Sequence, residues 1–144
     1  MARIFKIAIL LIAGLNLSSC NESPKVDFHS YEELSGYAFI DNGWIPEILN
    51  DDASGILETY DIASNHLYGK FDFKNRTKYD SIIKSYIIVD RDSLLEKIEK
   101  IKKPRCPEWF ISKEDITNDK YIVAKNKDFY LMMDKEANRI YYLR

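Results

Sequence analysis

The feature that most constrains the fold is the first twenty residues, MARIFKIAILLIAGLNLSSC, because they decide how much of the chain can belong to a folded domain. Arg3 and Lys6 give a positively charged start, the nine residues from Ile7 to Leu15 are apolar, and small residues follow. This order is typical of an export signal peptide. A membrane-spanning helix needs about twenty apolar residues. We therefore expect residues 1–19 to be a cleaved signal and not a permanent transmembrane helix.

The four residues that end this run, Leu17-Ser18-Ser19-Cys20, resemble the lipobox of bacterial lipoproteins, in which a Leu stands two small residues before a Cys. The resemblance implies that a signal peptidase cuts between Ser19 and Cys20. It also implies that the Cys20 thiol receives a diacylglycerol and that the new amine is acylated, for example with palmitate. Two or more acyl chains hold a protein firmly on a bilayer, whereas one does not. Secretion of a free mature chain is the alternative.

The same resemblance predicts a location and a division of the chain. Lipid-anchored chains of this kind lie in the bacterial cell envelope, and Asn21 is not the Asp that enterobacterial lipoproteins use for inner-membrane retention. We therefore expect the outer membrane, on its periplasmic or surface face. Residues 20–30 are predicted to be the lipidated Cys20 and a polar tether, NESPKVDFHS, and residues 31–144 a folded domain.

Length and charge limit the remaining possibilities. A chain of 144 residues is long enough for one domain with a core but too short for two ordinary ones. The net charge is −2, and without Arg3 and Lys6 of the signal the 19 remaining Lys and Arg stand against 23 Asp and Glu, a net of −4. Nucleic-acid binding depends on clustered Lys and Arg that neutralise phosphates, so we predict no nucleic-acid partner.

The hydrophobic pattern of the domain predicts an α+β fold. Residues 56–73 read as a β-hairpin with a turn at 63–65, because apolar and polar residues alternate in its second arm. Residues 121–124, 129–133 and 139–143 read as an antiparallel meander. We expect a single small domain with an antiparallel sheet of about five strands and two main helices on one face.

Helical spacing predicts those two helices. The first covers 77–87, with Thr77 and Asp80 as a weak capping box, and the β-branched run at 87–89 is open to the alternative of a strand. The second begins at a capping box of Ser93 and Glu96 and ends before Pro104. One or two helical turns are expected after Pro46 as well.

From Gly43 to Phe73 the chain resembles a family of small uncharacterised bacterial proteins with a GWLP-type motif. The residues that carry this likeness are GWIP, ASGILE, DIASN and KFDF, with Trp109 and the final RIYYLR in addition. Ile45 stands where the family has Leu, and Ala63 and Ser64 stand where it has an acid and Thr. The resemblance implies no known activity, so it supplies no catalytic residue.

Residue types that perform catalysis are sparse. Cys106 and His66 could form a thiolate and imidazole pair, but no helix start stands behind Cys106 to lower its pKa and no signature of a family of cysteine enzymes surrounds it. His29 and His66 are the only histidines, and neither has a second His or Cys at metal-ligand spacing. We therefore predict no catalytic residue, no metal, no cofactor and no enzymatic activity.

Trp44 and Trp109 are the most plausible recognition residues. Each stands beside a proline and an acid, in GWIPE and PEWF, and together they are candidates for an exposed binding edge. The commoner role of such residues is to cap the core. The sequence favours a lipid-anchored, non-enzymatic binding or accessory module with an envelope protein as partner. The alternative is a periplasmic inhibitor or immunity protein directed against an enzyme or toxin.

Overall fold

A computed structural model describes residues 24–37, 43–61, 65–101 and 106–144, and in these ranges the chain forms one six-stranded antiparallel sheet. The order of the strands across the sheet is β1-β2-β3-β6-β5-β4. Their bounds are β1 Lys25–Ser30, β2 Ala53–Asp61, β3 His66–Phe73, β4 Tyr121–Asn126, β5 Phe129–Asp134 and β6 Arg139–Leu143. The predicted α+β class, the hairpin and the C-terminal meander are confirmed.

Four helices accompany the sheet in the described ranges: α1 Tyr31–Ser35, α2 Arg76–Ser85, α3 Arg91–Lys100 and α4 Lys113–Thr117. Each is preceded by a residue whose side chain accepts a hydrogen bond from a backbone N–H of the first turn, namely Ser30, Asn75, Asp90 and Ser112. Such caps satisfy backbone N–H groups that have no partner within the helix. The predicted capping boxes at Thr77 and Ser93 were therefore wrong by two or three residues, because Asn75 and Asp90 take that role.

The sheet buries both of its faces, and this corrects the prediction that the two main helices share one face. Along β5 and β6, successive side chains alternate between two separate apolar clusters. The first cluster includes Tyr79 of α2 together with Leu131 and Tyr142, and the second includes Leu94 of α3 together with Met132 and Tyr141. Helices α2 and α3 therefore lie on opposite faces. Periodicity predicts that a helix has an apolar stripe, but not which face it covers.

Strand β1 is the second correction, because Lys25–Ser30 was expected to be part of the polar tether. It pairs antiparallel with β2, and Phe28 lies opposite Ile56. Phe28 is buried in the first cluster and Val26 packs against it, while Lys25 and Asp27 are exposed. This alternation of apolar and polar side chains is the signature of a half-buried edge strand.

The connections differ from the prediction in two places. After Pro46 the chain makes two tight turns, closed by the Leu49 amide donating to the Pro46 carbonyl at 3.0 Å and the Ala53 amide donating to the Asn50 carbonyl at 2.9 Å, and no helix forms before β2. Helix α2 ends at Ser85, and the following segment pairs with edge strand β4 through a single bridge between Ile88 and Ala124. Of the two structures considered for residues 87–89, helix or strand, the chain therefore adopts the extended one.

The sheet has two ends, and their identity matters for the candidate site. One end, which we call the entry end, contains the first residue of β1 and of β3 and the last residue of β2 and of β6. The β4–β5 turn lies at the same end. At the opposite end, which we call the far end, the Tyr79 hydroxyl donates to the carbonyl oxygens of Asp134 and Arg139 at 2.6 and 3.0 Å. These bonds fasten α2 to the ends of β5 and β6.

Candidate functional site

A cleft of about 490 Å³ lies at the entry end of the sheet. Three parts of the fold meet around it: the start of β3, the β4–β5 turn with the residue that follows β6, and the C-terminal half of α3. The lining residues are Asn65, His66, Lys97, Lys125, Asp128, Tyr130 and Arg144. These residues are separated in sequence by up to 79 positions, so only the strand order brings them together.

Cationic side chains dominate the lining of this cleft. Lys97, Lys125 and Arg144 contribute three positive charges, and Asp128 is the single carboxylate side chain among the lining residues. The Lys125 ammonium also lies over the Tyr130 ring, 5.5 Å from its centroid. A cleft with this balance attracts anions.

His66 adds an unsatisfied polar atom to the cleft. Its Nδ1 is buried, and it makes no hydrogen bond to any residue in the part of the chain that the structure describes. Most buried polar atoms have a partner, because leaving one unpaired costs about 1–3 kcal/mol. His66 lines the same cleft as the three cations, so the unpaired atom belongs to a residue of the cleft.

Arg144 has a structural role as well. Its Nη1 donates to the Gly43 carbonyl at 2.8 Å, and its guanidinium carbon lies 5.2 Å from the centroid of the Trp44 ring. These contacts hold the end of β6 against the loop that carries Trp44. The Arg144 side chain, which forms this part of the cleft wall, is therefore held in place by its neighbours.

A buried carboxyl group lies at the middle of the sheet. Glu58 of β2 is 1 % exposed, and its Oε1 accepts a hydrogen bond from the Tyr142 hydroxyl of β6. Strand β3 stands between these two strands, and Gly69 is the register partner of both residues. A methyl group on Gly69 would lie 2.0 Å from the Tyr142 ring, so the absence of a side chain there gives the ring room to reach Glu58.

Burial changes the acid–base properties of this pair. It raises the pKa of Glu58 to about 7, although the hydrogen bond from Tyr142 acts in the opposite direction. Burial and the neighbouring Glu58 raise the pKa of Tyr142 well above its ordinary value. Both side chains are buried in the sheet, and neither lines the cleft. A substrate therefore has no access to this pair.

The predicted lipidation and cleavage residues, Ser19 and Cys20, lie outside the described residues, as does the signal at 1–19. The two tryptophans are described, and the structure does not bring them together. Trp44 is half-buried against the first cluster, 6.1 Å from Tyr60, whereas Trp109 is half-buried against the second cluster, with the Lys70 ammonium 5.7 Å from its ring. They lie on opposite faces and form no shared edge.

Cys106 and His66 do not form a reactive pair in the described structure. No hydrogen bond joins them among the described residues, and Cys106 is not among the residues that line the cleft with His66. The Cys106 side chain is exposed, but partial burial of its thiol raises its pKa. A thiol with a raised pKa is a poor nucleophile at neutral pH, because the thiolate is the reactive form.

The described ranges contain neither a metal-ligand cluster nor a membrane-spanning helix. No group of three or more His, Cys, Asp or Glu residues is placed there to hold a metal ion. Among the same residues, none of the helices is long and apolar enough to cross a bilayer.

Comparison with protein families gives one similarity. Residues 22–72, about a third of the chain, match the family described as the YbbD head domain. The matched segment includes β1, α1, β2 and most of β3, and therefore one half of the sheet. Comparisons with curated proteins and with solved structures give no match.

Sequence reasoning missed both the cleft and the buried pair. Nothing in the local pattern distinguishes Lys97 or Lys125 from an ordinary surface lysine, because the cleft depends on how distant elements are arranged. For the pair there was a signal. A Gly inside a strand pattern often marks a close approach of another group, and Gly69 stands in the middle of β3.

Proposed function

We propose that the protein is lipid-anchored in the bacterial cell envelope through acylated Cys20 and acts there as a binding or accessory module without enzymatic activity. The observation that carries the proposal is the position of Cys20, two small residues after Leu17 and directly after the charged start and apolar stretch of a signal peptide. The family match supports the division of the chain at this point, because it begins at Glu22.

The proposal accounts for the way the chain uses its two cysteines. An acylated Cys20 cannot form a disulfide, and the exposed Cys106 then has no partner within the chain. A diacyl or triacyl cysteine also exceeds the two-chain requirement for stable anchoring. The outer membrane is the proposed location, because Asn21 differs from the Asp of inner-membrane retention in enterobacteria.

Metabolic labelling with a palmitate analogue tests the anchor. We expect label and membrane association in the wild type, neither acyl label nor cleavage before residue 20 in Cys20→Ala, and full label in Cys106→Ala. The last variant is the matched control, since it removes the other cysteine of the chain. Equal label on the wild type and on Cys20→Ala would refute lipid anchoring at this residue.

Cross-linking in intact cells followed by recovery of the protein tests the role as a module. An accessory module should return envelope proteins that depend on where it is anchored. The alternative, a periplasmic inhibitor or immunity protein, fits the small acidic domain with its net charge of −4, and it should return one dominant enzyme or toxin in equal amount. Recovery of a stoichiometric enzyme would therefore replace the first proposal by the second.

A further inference from the structure

We propose that the cleft at the entry end binds the phosphate group of anionic phospholipids, so that this end of the sheet lies against the membrane to which Cys20 is anchored. The choice of a lipid as the source of the phosphate rests on the proposed function. The cleft itself is an observation of the structure and does not depend on it.

The first argument is the distance from the anchor. Cys20 precedes Lys25, the first residue of β1, by five positions. Because an extended chain spans at most about 3.6 Å per residue, these positions cover no more than about 18 Å. The backbone is already paired at Pro24, whose carbonyl accepts from the Tyr60 amide. An anchor at Cys20 therefore keeps the start of β1 within about 18 Å of the bilayer, and the cleft lies at the same end of the sheet.

The second argument is charge. Neither Lys97 nor Lys125 forms an ion pair with a carboxylate anywhere in ranges 24–37, 43–61, 65–101 and 106–144. At the far end Lys120 and Arg139 are paired with Asp134 and Asp72, whereas Lys74 and Lys135 there have no carboxylate partner among the described residues. The cleft differs because it gathers two such lysines with Arg144 around one lining carboxylate, that of Asp128. The domain as a whole is acidic, so two lysines without carboxylate partners in one cleft favour an external anion. Anionic lipids attract basic residues at about 1 kcal/mol for each Lys or Arg near the surface.

The third argument is the chemistry of the lining. A phosphate offers only acceptor oxygens under these conditions, and the lysine ammonium groups are donors that match them. His66 lines the cleft beside these lysines, but its unpaired Nδ1 is buried, so the donors that reach the ligand are the ammonium groups. Asp128 is the one lining side chain that repels the ligand. Lys127, the residue before Asp128, forms an ion pair with Glu47 and is not part of the lining.

Lysine footprinting of the lipidated protein tests this proposal. The purified full-length mature protein is placed in vesicles of phosphatidylcholine, with or without phosphatidylglycerol, and acetylation rates are read by mass spectrometry. We expect Lys97 and Lys125 to react about fivefold more slowly when phosphatidylglycerol is present, the factor that corresponds to about 1 kcal/mol per cation. Exposed Lys74 and Lys135 at the far end are internal controls and should not change.

Two further measurements sharpen the result. High salt should remove the protection, because it screens charges at a membrane surface. Lys97→Gln should weaken the protection of Lys125, whereas the matched surface variant Lys74→Gln should leave it intact. Equal rates with and without phosphatidylglycerol, or equal slowing at both ends, would overturn the proposal. So would equal protection by inorganic phosphate in phosphatidylcholine vesicles, which would assign the cleft to a free anion.

The intact mass of the same preparation separates this proposal from the proposed function. A mass without acyl groups on Cys20 refutes lipid anchoring, whatever the footprint shows. A lipidated protein whose Lys97 and Lys125 react alike in both vesicle types refutes only the binding of phosphate at the cleft.

Discussion

The Tyr142 hydroxyl donates a hydrogen bond to the buried carboxyl of Glu58 over a glycine of the intervening strand. The two residues are 84 positions apart, and they belong to strands on either side of β3. The bond therefore ties the N-terminal half of the sheet to the C-terminal half. It depends on three residues in one row, and each of them can be tested.

Gly69→Ala should destabilise the protein by about 1–3 kcal/mol, the usual cost of forcing extra volume into a packed core. A Cβ at this position would overlap the Tyr142 ring, with its nearest ring atom at 2.0 Å. Urea unfolding measures the change. Gly36→Ala is the control, because among the described residues a Cβ there would meet only the Glu33 carbonyl oxygen, at 3.6 Å. Equal stability of Gly69→Ala and Gly36→Ala would contradict the packing described for Tyr142.

The stability of the protein should depend on pH through Glu58. Burial raises the pKa of this carboxyl from 4.5 to about 7, so the folded state favours the protonated form. The unfolded chain loses this proton near pH 4.5, and the folded state therefore becomes less favourable as the pH rises from there to about 7. A pKa increase of this size corresponds to a loss of about 3 kcal/mol at higher pH.

Glu58→Gln isolates this contribution, because an amide keeps the shape and an acceptor oxygen for Tyr142 but does not titrate. We expect the variant and the wild type to be similar near pH 4, and the variant to be the more stable near pH 8. Urea unfolding at both pH values gives the comparison, with Glu32→Gln on the exposed face of α1 as control. A difference between wild type and Glu58→Gln that is constant with pH would show that Glu58 does not titrate in this range.

Cys106 should behave as a slow thiol. Partial burial raises its pKa, so at neutral pH less of it is thiolate than in an unfolded chain. Alkylation by iodoacetamide, followed by mass spectrometry of the peptide that contains Cys106, should be slower in the folded protein than in urea, with a midpoint at higher pH. Faster alkylation in the folded state would instead indicate an activated cysteine and would reopen the possibility of an enzyme.

The parts of the fold that the sequence predicts are those with local signals. The alternation from Leu67 to Phe73 identifies β3, and the short turns of the C-terminal meander identify β4, β5 and β6, because these strands pair with their neighbours in sequence. Helices α2 and α3 are also recognisable, although their first residues are displaced. Each of these signals extends over a few residues, and the pairing it predicts is equally local.

What could not be predicted depends on distant pairing. In the pairing of β3 with β6, Phe71 lies opposite Ile140. Neither segment contains a local sequence signal that identifies the other as its partner. The faces covered by α2 and α3, the cleft at the entry end and the contact of Tyr142 with Glu58 all follow from that ladder. Strand β1 was missed for a different reason: only Val26 and Phe28 of its six residues are apolar, which is the weakest form of the strand signal.

The position of β6 also determines when the fold can be completed. Strands β1, β2 and β3 form one set of neighbours and β4 and β5 form another, and β6 is the strand that joins them. During synthesis the residues of β6 leave the ribosome after all of the others in the sheet. Until Arg139–Leu143 is available, both apolar clusters are incomplete and the two halves have open edges towards each other. The sheet is therefore completed only by long-range pairing of β6 with β3 and β5, a slow and non-local mode of assembly.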